Sequence, residues 1–399
     1  MRTVKFGKLS LPRLGFGSRR LPLNEDGTIN SSVVEAMVDY AMEKGLNYFN
    51  TGYNYHRMKS EGVISKALSK YPRESYFLAD SYPGYQSDDG RNPKDIFEEQ
   101  LEKCGAGYFD FYRLQNVYGK YFEAYSDLNL GIVDYFVKQK EKGRIRHLGF
   151  STYGSPNIIS KFLNQFGSVM EFAQIGMNYI DWTLRHVNRK YELLTARNIP
   201  IFVIEPMHGG RLTHLPAEDE AVLSFCVPNR TPREISYRWL ESFPNVKMII
   251  STMSSFNQLQ QDVSLFEKFE KKDRLSHAEI KSVEKFAEHL IKGISCDDCG
   301  VCTENCPYSL DIPSIIHLYN DIRFSSLNKA VASAIMLHDR FPGKNLHRCL
   351  GCGVCNLLCS RKTDIPKVIF EVREMLDHYP ELEDILKVRN GNKDNRTEE

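Results

Sequence analysis

The sequence of 399 residues predicts an α/β protein: a (β/α)8 barrel, or TIM barrel, followed by a small α-helical domain. Over residues 11–266, eight short apolar runs alternate with stretches of helical periodicity, which is the pattern of eight strand–helix units. After this region the composition changes, and eight of the ten cysteines fall into two tight clusters. The second domain is therefore predicted to be organised by its cysteines.

The eight apolar runs have the length of strands and are separated by turn and capping signals. They are residues 14–17, 46–50, 76–81, 109–115, 147–151, 172–178, 200–205 and 246–251. A doubly wound sheet is the alternative for such alternation, but it usually has fewer units and a glycine-rich phosphate turn after the first strand. The first run, Leu14-Gly15-Phe16-Gly17-Ser18, lacks the G-x-G-x-x-G pattern, which favours the barrel.

Helical periodicity between the runs is clearest at residues 32–44, where apolar side chains recur at i, i+3, i+4 and i+7 and share one face. Ser32 and Glu35 have the pattern of a capping box at the start of this helix. Thr231 and Pro232 likewise predict the N-cap and first position of a later helix. These signals alternate with the strands as a barrel requires.

Composition and charge exclude several classes of protein. Hydrophobic residues make up 42% of the chain and charged residues 26%, as in folded globular proteins. The net charge of +1 gives no bulk attraction for nucleic acid, and no run of eighteen apolar residues offers a membrane span. Residues 1–11 lack the apolar segment of a secretory signal, so we expect a cytoplasmic protein.

Ser276, with Glu279 three positions later, predicts the start of a helix that leads into the first cysteine cluster. We therefore place a barrel domain at residues 1–290, a cysteine-rich domain at 291–388 and a flexible polar tail at 389–399. Within the second domain, helices are expected at residues 314–320, at 328–338 and after Pro366.

Both cysteine clusters have the spacing C-x2-C-x2-C-x3-C, with which three thiolates on one tight loop can reach three irons of a cube while the fourth reaches elsewhere. The clusters are Cys296, Cys299, Cys302 and Cys306, and Cys349, Cys352, Cys355 and Cys359. This is the pattern of bacterial two-cluster ferredoxins, so it predicts two 4Fe-4S clusters. Zinc is the alternative, but structural zinc sites usually pair two short hairpins.

The crossed ligand pattern of such ferredoxins assigns Cys359 to the iron–sulfur cluster of the first run and Cys306 to that of the second. Cys306 and Cys349 are 43 positions apart, and the helical sequence between them favours an α-helical ferredoxin module. Cys104 and Cys226 stand alone and are interpreted as inert thiols.

Chemistry in a (β/α)8 barrel lies at the carboxyl ends of the strands, and the residues there are polar. They are Asn50, Thr51, Tyr55, Ser81, Gln115, Ser151, Asn178, Glu205, His208 and Ser251. Further motifs are LGFG at residues 14–17, GLNYFNT at 45–51, SE at 60–61, YFDFY at 108–112, GFS at 149–151 and EP at 205–206. With these motifs, about residues 1–270 resemble the aldo-keto reductase family, and the cysteine-rich domain makes the chain similar to its ferredoxin-linked branch.

The resemblance implies an oxidoreductase with four catalytic groups: a tyrosine that protonates the carbonyl, a lysine paired with an aspartate, and a histidine that orients the substrate. The tyrosine position matches Tyr55. The aspartate, lysine and histidine positions fall on Asn50, Ser81 and Gln115, so three ionisable groups are replaced by neutral ones. Without the ammonium, the physical reason for an activated tyrosine is missing, and loss of a tuned proton donor typically lowers the rate by roughly 100 to 10,000-fold.

The family uses NAD(P), and its nucleotide positions are matched only in part. Ser151 and Gln174 fit the positions that hold the nicotinamide carboxamide. The aromatic that stacks on the nicotinamide falls on Ile204, and the adenine-side asparagine falls on Asp262.

Two loops bear on the phosphates of a nucleotide. Residues 251–267, which begin with Ser251, contain no Lys or Arg where the family clamps the 2'-phosphate of NADP, which argues against the usual NADPH preference. A flavin is the other candidate cofactor, and the Gly209-Gly210-Arg211 loop after the seventh strand is a candidate phosphate site, with a simple turn as the alternative.

Alternation along the fourth run puts Arg113 on the same face as Gln115, one layer deeper in the barrel. A buried cation is costly unless it is used, so Arg113 is a candidate for the positive charge that the absent lysine gives in the family. The alternative is a structural pair with a buried carboxylate. His56 and His208 are candidate acids, with solvated loop histidines as the alternative.

Three functions remain open from the sequence. In the first, the clusters pass single electrons between a small-molecule substrate in the barrel and a one-electron redox partner protein. A nicotinamide moves two electrons as hydride, so this scheme needs a splitter such as a flavin, or it bypasses nicotinamide. In the second, the barrel is inactive and serves as a binding or docking scaffold for an electron-transfer module. In the third, the chain is an NAD(P)H-dependent carbonyl reductase, which needs the three replaced groups.

Overall fold

A computed structural model describes residues 1–84, 92–270, 273–290, 294, 296, 299–324 and 346–377. The chain forms two compact units, the first comprising Met1–Trp182 and Val187–Val283, and the second comprising Thr183–His186 and the chain from Glu284 onwards. The division after Val283 falls inside a helix, a few residues before the expected end of the barrel domain at 290. The expected helix at 328–338 and the tail at 389–399 lie outside the described residues.

The first unit contains ten described strands. They are β1 Thr3–Phe6, β2 Leu9–Pro12, β3 Leu14–Gly17, β4 Tyr48–Asn50, β5 Phe77–Pro83, β6 Phe109–Gln115, β7 Ile145–Thr152, β8 Ala173–Gly176, β9 Ile201–Ile204 and β10 Val246–Ser251. Among these described strands, β3 to β10 form a closed barrel of eight parallel strands, because β10 pairs with β3. Each apolar run coincides with one barrel strand, and the predicted fold class is confirmed.

The hairpin of β1 and β2 precedes the barrel and was not predicted, since each strand has only four residues and little alternation. The ring of Phe6 packs against Phe111 and Phe202, with centroids 5.5 and 5.6 Å away. Both partners lie near the amino ends of their strands, as does buried Tyr48 in the same cluster. The hairpin therefore closes the amino end of the barrel and leaves the carboxyl end for a site.

Helices follow the barrel strands and cover them on the outside. They are α1 Ser31–Glu43, α2 Ser60–Leu68, α3 Pro93–Lys103, α4 Gly119–Ser126, α5 Ile132–Glu141, α6 Pro156–Phe166, α7 Tyr179–Leu184, α8 Val187–Ala196, α9 Ala217–Cys226, α10 Pro232–Glu241, α11 Phe256–Lys268 and α12 His277–Leu290. Thr231 caps α10 and Ser276 caps α12 through hydrogen bonds from the backbone N–H three positions later, as predicted. Within the described ranges, no helix has both the length and the apolarity that a bilayer crossing needs.

The predicted capping box of Ser32 and Glu35 is wrong. The side chain of Asn30 caps α1 by accepting a hydrogen bond from the N–H of Val33 at 3.1 Å. Ser32 donates its hydroxyl to the same Asn30 oxygen, and Glu35 pairs with Lys70 at 3.0 Å. Asparagine caps a helix as well as serine does. Glu35 pairs with Lys70 and makes no capping contact with Ser32, so Asn30 is the cap of α1.

The second unit is helical in its described part, with helices Val301–Glu304, Ile312–Phe324, Val354–Leu358 and Ile365–Asp377. Its core contains Ile315, Ile316, Val368 and other buried aliphatic side chains together with Cys296, Cys302 and Cys355. Gly300 and Gly353 precede the two short helices with φ of 77° and 76°, in the left-handed region where glycine is favoured. The repeated turn indicates an internal duplication of the cysteine motif.

An ion pair joins β3 to the end of α10. Arg13 donates from Nε to Glu241 at 2.6 Å and from Nη1 to the carbonyl of Val246 at 2.5 Å, and Arg2 also pairs with Glu241. The side chains of Arg13 and Glu241 are only 5% and 3% exposed. The pair therefore fixes the point at which β10 and β3 close the barrel.

Replacement of Glu241 with alanine leaves the Arg13 guanidinium buried without its carboxylate. We expect the variant Glu241→Ala to lose about 3–5 kcal/mol of unfolding free energy in chemical denaturation. The matched control is Glu35→Ala, which removes the exposed partner of Lys70 and should have a much smaller effect. Equal losses in the two variants would contradict a structural role for the buried pair.

A carboxyl pair lies between β5 and the helices outside it. Asp80 on β5 and Glu61 on α2 are fully buried. Gln100 donates from Nε2 to Glu61 at 3.0 Å, and the N–H of Ser81 donates to Asp80 at 2.7 Å. The ammonium of Lys103 is 3.6 Å from Glu61. Burial, together with the proximity of the two carboxyls, raises the pKa of Asp80 well above its ordinary value, and burial also raises the pKa of Glu61.

Because the folded state holds these protons more tightly than the unfolded chain, the pair favours folding below the ordinary carboxyl pKa of about 4 and loses that contribution as the pH rises. We expect Asp80→Asn to flatten the fall of unfolding free energy as the pH rises above the ordinary carboxyl pKa, measured by denaturation at each pH. The control Asp127→Asn changes an exposed carboxylate and should leave the slope unchanged. Parallel pH profiles of the unfolding free energy for wild type and Asp80→Asn would contradict the raised pKa of Asp80.

Candidate functional site

Arg113, on β6, lies at the centre of the polar layer inside the barrel and is 2% exposed. Its Nη1 donates to Oδ1 of Asn50 at 2.7 Å and to the carbonyl of Asp80 at 3.3 Å, and its Nη2 donates to the carbonyl of Thr51 at 3.2 Å. In the described part of the chain, its Nε has no hydrogen-bond partner. The alternative expected from the sequence, an ion pair between Arg113 and a buried carboxylate, is not among these contacts. The guanidinium is balanced by neutral oxygens.

The three positions at which the resemblance predicts the aspartate, lysine and histidine lie on neighbouring strands of this part of the barrel. Asn50 ends β4, Ser81 lies on β5 opposite Arg113, and Gln115 ends β6. The hydroxyl of Ser81 donates to Oε1 of Gln115 at 3.3 Å. The hydroxyl of Tyr125 donates to the backbone carbonyl of Gln115 at 2.7 Å, which holds the end of the strand. The structure thus joins the three positions in two hydrogen-bonded pairs, Asn50 with Arg113 and Ser81 with Gln115.

Tyr55 lies in the loop after β4 and is half-buried. Its ring packs on the backbone of Gly52, where an added Cβ would lie 3.0 Å from Cζ of the ring. The guanidinium of Arg19 lies over the ring, 5.9 Å from its centroid. Glycine is therefore needed at position 52 for the ring of Tyr55 to keep this place.

A second group of polar residues lies at the ends of β7, β8 and β9. The hydroxyl of Tyr153 donates to the Glu205 carboxylate at 3.1 Å. Asn178 donates from Nδ2 to the backbone carbonyl of Glu205 at 3.1 Å and to Asp181 at 2.8 Å, and Nδ1 of His208 is 3.2 Å from Asp181. Glu205 and His208 have φ of 57° and 45°, which is strained for residues other than glycine. Such strain clusters at functional sites.

Tyr153 and Asp181 were not among the candidates from the sequence. Ser151 was predicted because it ends an apolar run, and Tyr153 lies two positions after it, directly after the end of β7. Asp181 is on α7 and meets His208 only through the packing of the loops. His56, a candidate acid, accepts a hydrogen bond at Nε2 from the N–H of Leu21 at 3.0 Å, and burial lowers its pKa. It holds the loop after β3 as a neutral acceptor.

Ser151 and Gln174 are neighbours on β7 and β8 and are 4% and 3% exposed. The hydroxyl of Ser151 accepts a hydrogen bond from the N–H of Asn116 at 3.2 Å. Oε1 of Gln174 is buried and has no hydrogen-bond partner among the described residues. Buried polar atoms are rarely left so, and an amide N–H of a ligand suits this oxygen. The pair fits the carboxamide of a nicotinamide.

The sequence predicts Asp262 at the adenine end of a nucleotide, and this side chain already binds other side chains of the protein. Asp262 accepts hydrogen bonds from Tyr237 at 2.6 Å and from Ser251 at 2.8 Å, and it pairs with Arg233 at 2.6 Å. Burial and the neighbouring carboxylate raise the pKa of Tyr237 well above its ordinary value. Arg233, on α10, is a cation from outside residues 251–267. Ser251 is therefore engaged within the protein.

The loop after β9 contains the candidate phosphate site. Gly209 and Gly210 have φ of 75° and 95°, a conformation that requires glycine. The carbonyl of Gly209 accepts a hydrogen bond from Arg20 at 3.3 Å. The two glycines are thus explained by the turn itself.

In the second unit the cysteines line two cavities. Cys349, Cys352 and Cys355 line the first cavity together with Cys306. The second is lined by the three cysteines of the other run, Cys296, Cys299 and Cys302, together with Cys359. Each cavity thus has three thiols from one run and one from the other, which is the crossed arrangement expected from the sequence.

The donor set suits an iron–sulfur cube in each cavity. Four thiols around one cavity are the ligand set of a 4Fe-4S cluster. Within the described ranges, no three Cys, His, Asp or Glu side chains converge as the ligands of a single metal ion do. Burial raises the pKa of Cys302 and Cys355 to about 11, so these groups are thiols at neutral pH until metal binds.

The two isolated cysteines are in the first unit. Cys104 is buried, and burial raises the pKa of its thiol. Cys226 ends α9, where its Sγ lies 3.5 Å from the carbonyl of Ser282.

Comparison with known proteins adds the family. Residues 13–285 match the model of the aldo/keto reductase family, and residues 295–363 match a 4Fe-4S dicluster domain. The oxidoreductase YqkF of Bacillus subtilis is 23% identical over an alignment of 327 positions that covers 73% of this chain and 98% of that protein. A stretch of 95 residues, 24% of this chain, is 32% identical to 10% of the acetyl-CoA decarbonylase/synthase complex subunit alpha 1 of Methanosarcina acetivorans.

Solved structures show the same barrel. The aldo-keto reductase AKR11C1 of Bacillus halodurans, in its holo form, superposes with a TM-score of 0.58 at 20% identity, covering 72% of this chain and 96% of its own. An aldo-keto reductase of Klebsiella pneumoniae in complex with NADPH also gives 0.58, at 16% identity over 72% of this chain and 95% of its own. The chain belongs to the aldo/keto reductase family and is an oxidoreductase whose barrel is followed by a 4Fe-4S dicluster domain.

Proposed function

We propose that this protein is an iron–sulfur oxidoreductase in which two 4Fe-4S clusters exchange single electrons with a small-molecule substrate in the barrel and with a one-electron partner protein. The observation that carries the proposal is the pair of cavities, each lined by four cysteines in the crossed arrangement. Cys296, Cys299, Cys302 and Cys359 hold one cluster. Cys349, Cys352, Cys355 and Cys306 hold the other.

The barrel contributes a binding site built from neutral groups and one buried cation. Tyr55 is the remaining member of the family's catalytic group, and Arg113 supplies positive charge where the family has a lysine. The partnerless Nε of Arg113 and Oε1 of Gln174, as far as the described residues show, favour a barrel that binds a ligand over an inactive scaffold.

The residues of the barrel suit the nicotinamide end of a dinucleotide better than its adenine end. Ser151 and Gln174 suit the carboxamide, whereas Ser251 and Asp262 are held in a network with Tyr237. A bound dinucleotide supplies hydride chemistry, and the residues of this chain orient it and exclude water. Because Arg233 is already paired with Asp262, we infer weak recognition of a 2'-phosphate and hence no preference for NADPH over NADH.

The crossed arrangement predicts opposite outcomes for two double variants. Cys296→Ala with Cys359→Ala removes two ligands of one cluster, so about half of the roughly eight irons per chain should remain. Cys296→Ala with Cys306→Ala removes one ligand from each cluster, so both should be damaged and most of the iron lost. Iron content and the visible absorption of anaerobically reconstituted protein measure this. Cys226→Ala is the control and should keep full iron content, whereas the reverse outcome for the double variants would indicate uncrossed clusters.

Electron flow is tested by an anaerobic absorption titration of the reconstituted full chain. NADH and NADPH are added separately and dithionite afterwards, while the cluster band near about 400 nm is followed. Because each cluster can accept one electron from dithionite, we expect dithionite to lower the absorbance of the band. Bleaching by a nucleotide would add nicotinamide-linked electron flow to the proposal, whereas a band that dithionite leaves unchanged would refute redox-active clusters.

A further inference from the structure

The two cysteine runs of the second unit are structural copies of one another. Their first cysteines are 53 positions apart, and the same shift relates the other cysteines of the two runs. The N–H of Ile312 donates to Oγ1 of Thr303 at 3.2 Å, and at the equivalent positions the N–H of Ile365 donates to Oδ1 of Asn356 at 2.8 Å. The first copy therefore provides an internal reference for the second.

The two copies have opposite charge. Residues 348–362, the second-run segment, contain three cations and no carboxylate, whereas the equivalent residues 295–309, the first-run segment, contain three carboxylates and no cation. The cations are Arg348, Arg361 and Lys362, and the carboxylates are Asp297, Asp298 and Glu304. The net charge of +1 for the whole chain hides this difference. A local excess of one charge attracts partners of the opposite charge.

The second-run segment also exposes large apolar side chains at positions that are polar in the first copy. Leu350 and Leu357 are 74% and 89% exposed, and the equivalent residues are Asp297 and Glu304. Glu304 is exposed as well, so solvent reaches this position in both copies and packing in the core does not account for Leu357. Exposed apolar side chains that are rimmed by charges are typical of protein interaction sites.

The second-run segment surrounds one of the two cavities more closely than the other. It supplies three of the four thiols of one cavity, Cys349, Cys352 and Cys355, but only Cys359 to the other. Leu350 lines the first of these cavities, and Cys352 is exposed. A protein that docks on this segment consequently lies next to the ligands of one particular cluster.

We propose that the second-run segment docks an acidic one-electron carrier protein and that electrons enter or leave the chain at the cluster held by Cys349, Cys352 and Cys355. In each exchange one electron passes between the carrier and this cluster, so that one is oxidised and the other reduced, and no bond is formed or broken. This inference rests on the proposed function and names the docking site and the charge of the partner protein.

The chemistry of the segment selects the partner. Carboxylates around the redox centre of the carrier would face the three cations of the second-run segment, whereas the carboxylates of the first-run segment would repel them. Leu350 and Leu357 would bury apolar surface of the carrier at the centre of the contact. A carrier with a basic surface is repelled by this segment.

A flavodoxin with an acidic surface is a suitable probe, because its flavin can transfer single electrons. Its binding to the full chain with both clusters is measured by NMR titration of 15N-labelled flavodoxin. We expect saturable binding that weakens as sodium chloride is added, since salt screens opposite charges. Electron transfer is followed separately: flavodoxin hydroquinone is mixed anaerobically with the oxidised chain, and each flavin that loses one electron gives the absorption of the semiquinone.

The first copy supplies the substitutions for the test. Leu357→Glu and Lys362→Ser introduce the residues that the first copy has as Glu304 and Ser309. Both changes suit the fold, because Leu357 is exposed and because Ser309 and Lys362 have φ of 51° and 52°. We expect the double variant to weaken flavodoxin binding and to slow semiquinone formation by about tenfold or more. Glu304→Gln, which changes an exposed charge of the first copy, is the matched control and should weaken neither.

The iron content of the double variant is expected to equal that of wild type, which separates a lost docking surface from a misfolded domain. Equal flavodoxin affinity in wild type and the double variant, or no saturable binding to wild type, would overturn the proposal. Salt-sensitive dimerisation of the chain that the double variant loses would also overturn it, because a second copy would then occupy the segment. The dithionite titration involves no carrier protein, so failure of docking and failure of the proposed function are distinguishable.

Discussion

Closure of the barrel is the constraint on which the site depends. Because β10 pairs with β3 and the described barrel strands are parallel, their carboxyl ends meet at one rim. The buried pair of Arg13 and Glu241 fixes this seam, and the β1–β2 hairpin fills the opposite end with the ring of Phe6. Polar side chains that are far apart in sequence are thereby brought to a single opening, while the other end of the barrel is apolar and closed.

The rim differs electrostatically from the pattern that the family resemblance implies. At the positions where the resemblance predicts an aspartate and a lysine, the chain has Asn50 and Ser81, and Asn50 is hydrogen-bonded to the cation Arg113 on a different strand. The guanidinium of Arg113 is held by that amide and by two backbone carbonyl oxygens. The rim thus combines one buried cation with neutral polar side chains.

The second unit obeys a different constraint, because its core is built around thiols. Two short helices of four and five residues are each preceded by a glycine with left-handed backbone, and each presents one buried cysteine to the apolar core. The final cysteine of each run lies at the cavity of the other run. Metal binding and folding of this unit are therefore coupled, since each cluster would link segments that are distant in sequence.

The sequence by itself determined the barrel, its eight strands and the cysteine motifs, because apolar periodicity and ligand spacing are local properties of the chain. It also identified Asn50, Ser81, Gln115 and Arg113 as residues of one region. Only the tertiary structure decided the partners of the side chains in this region: neutral oxygens around Arg113, and the contact of Tyr153 with Glu205. These outcomes depend on which side chains of separate strands and loops approach within hydrogen-bond distance, and no spacing along the chain encodes that.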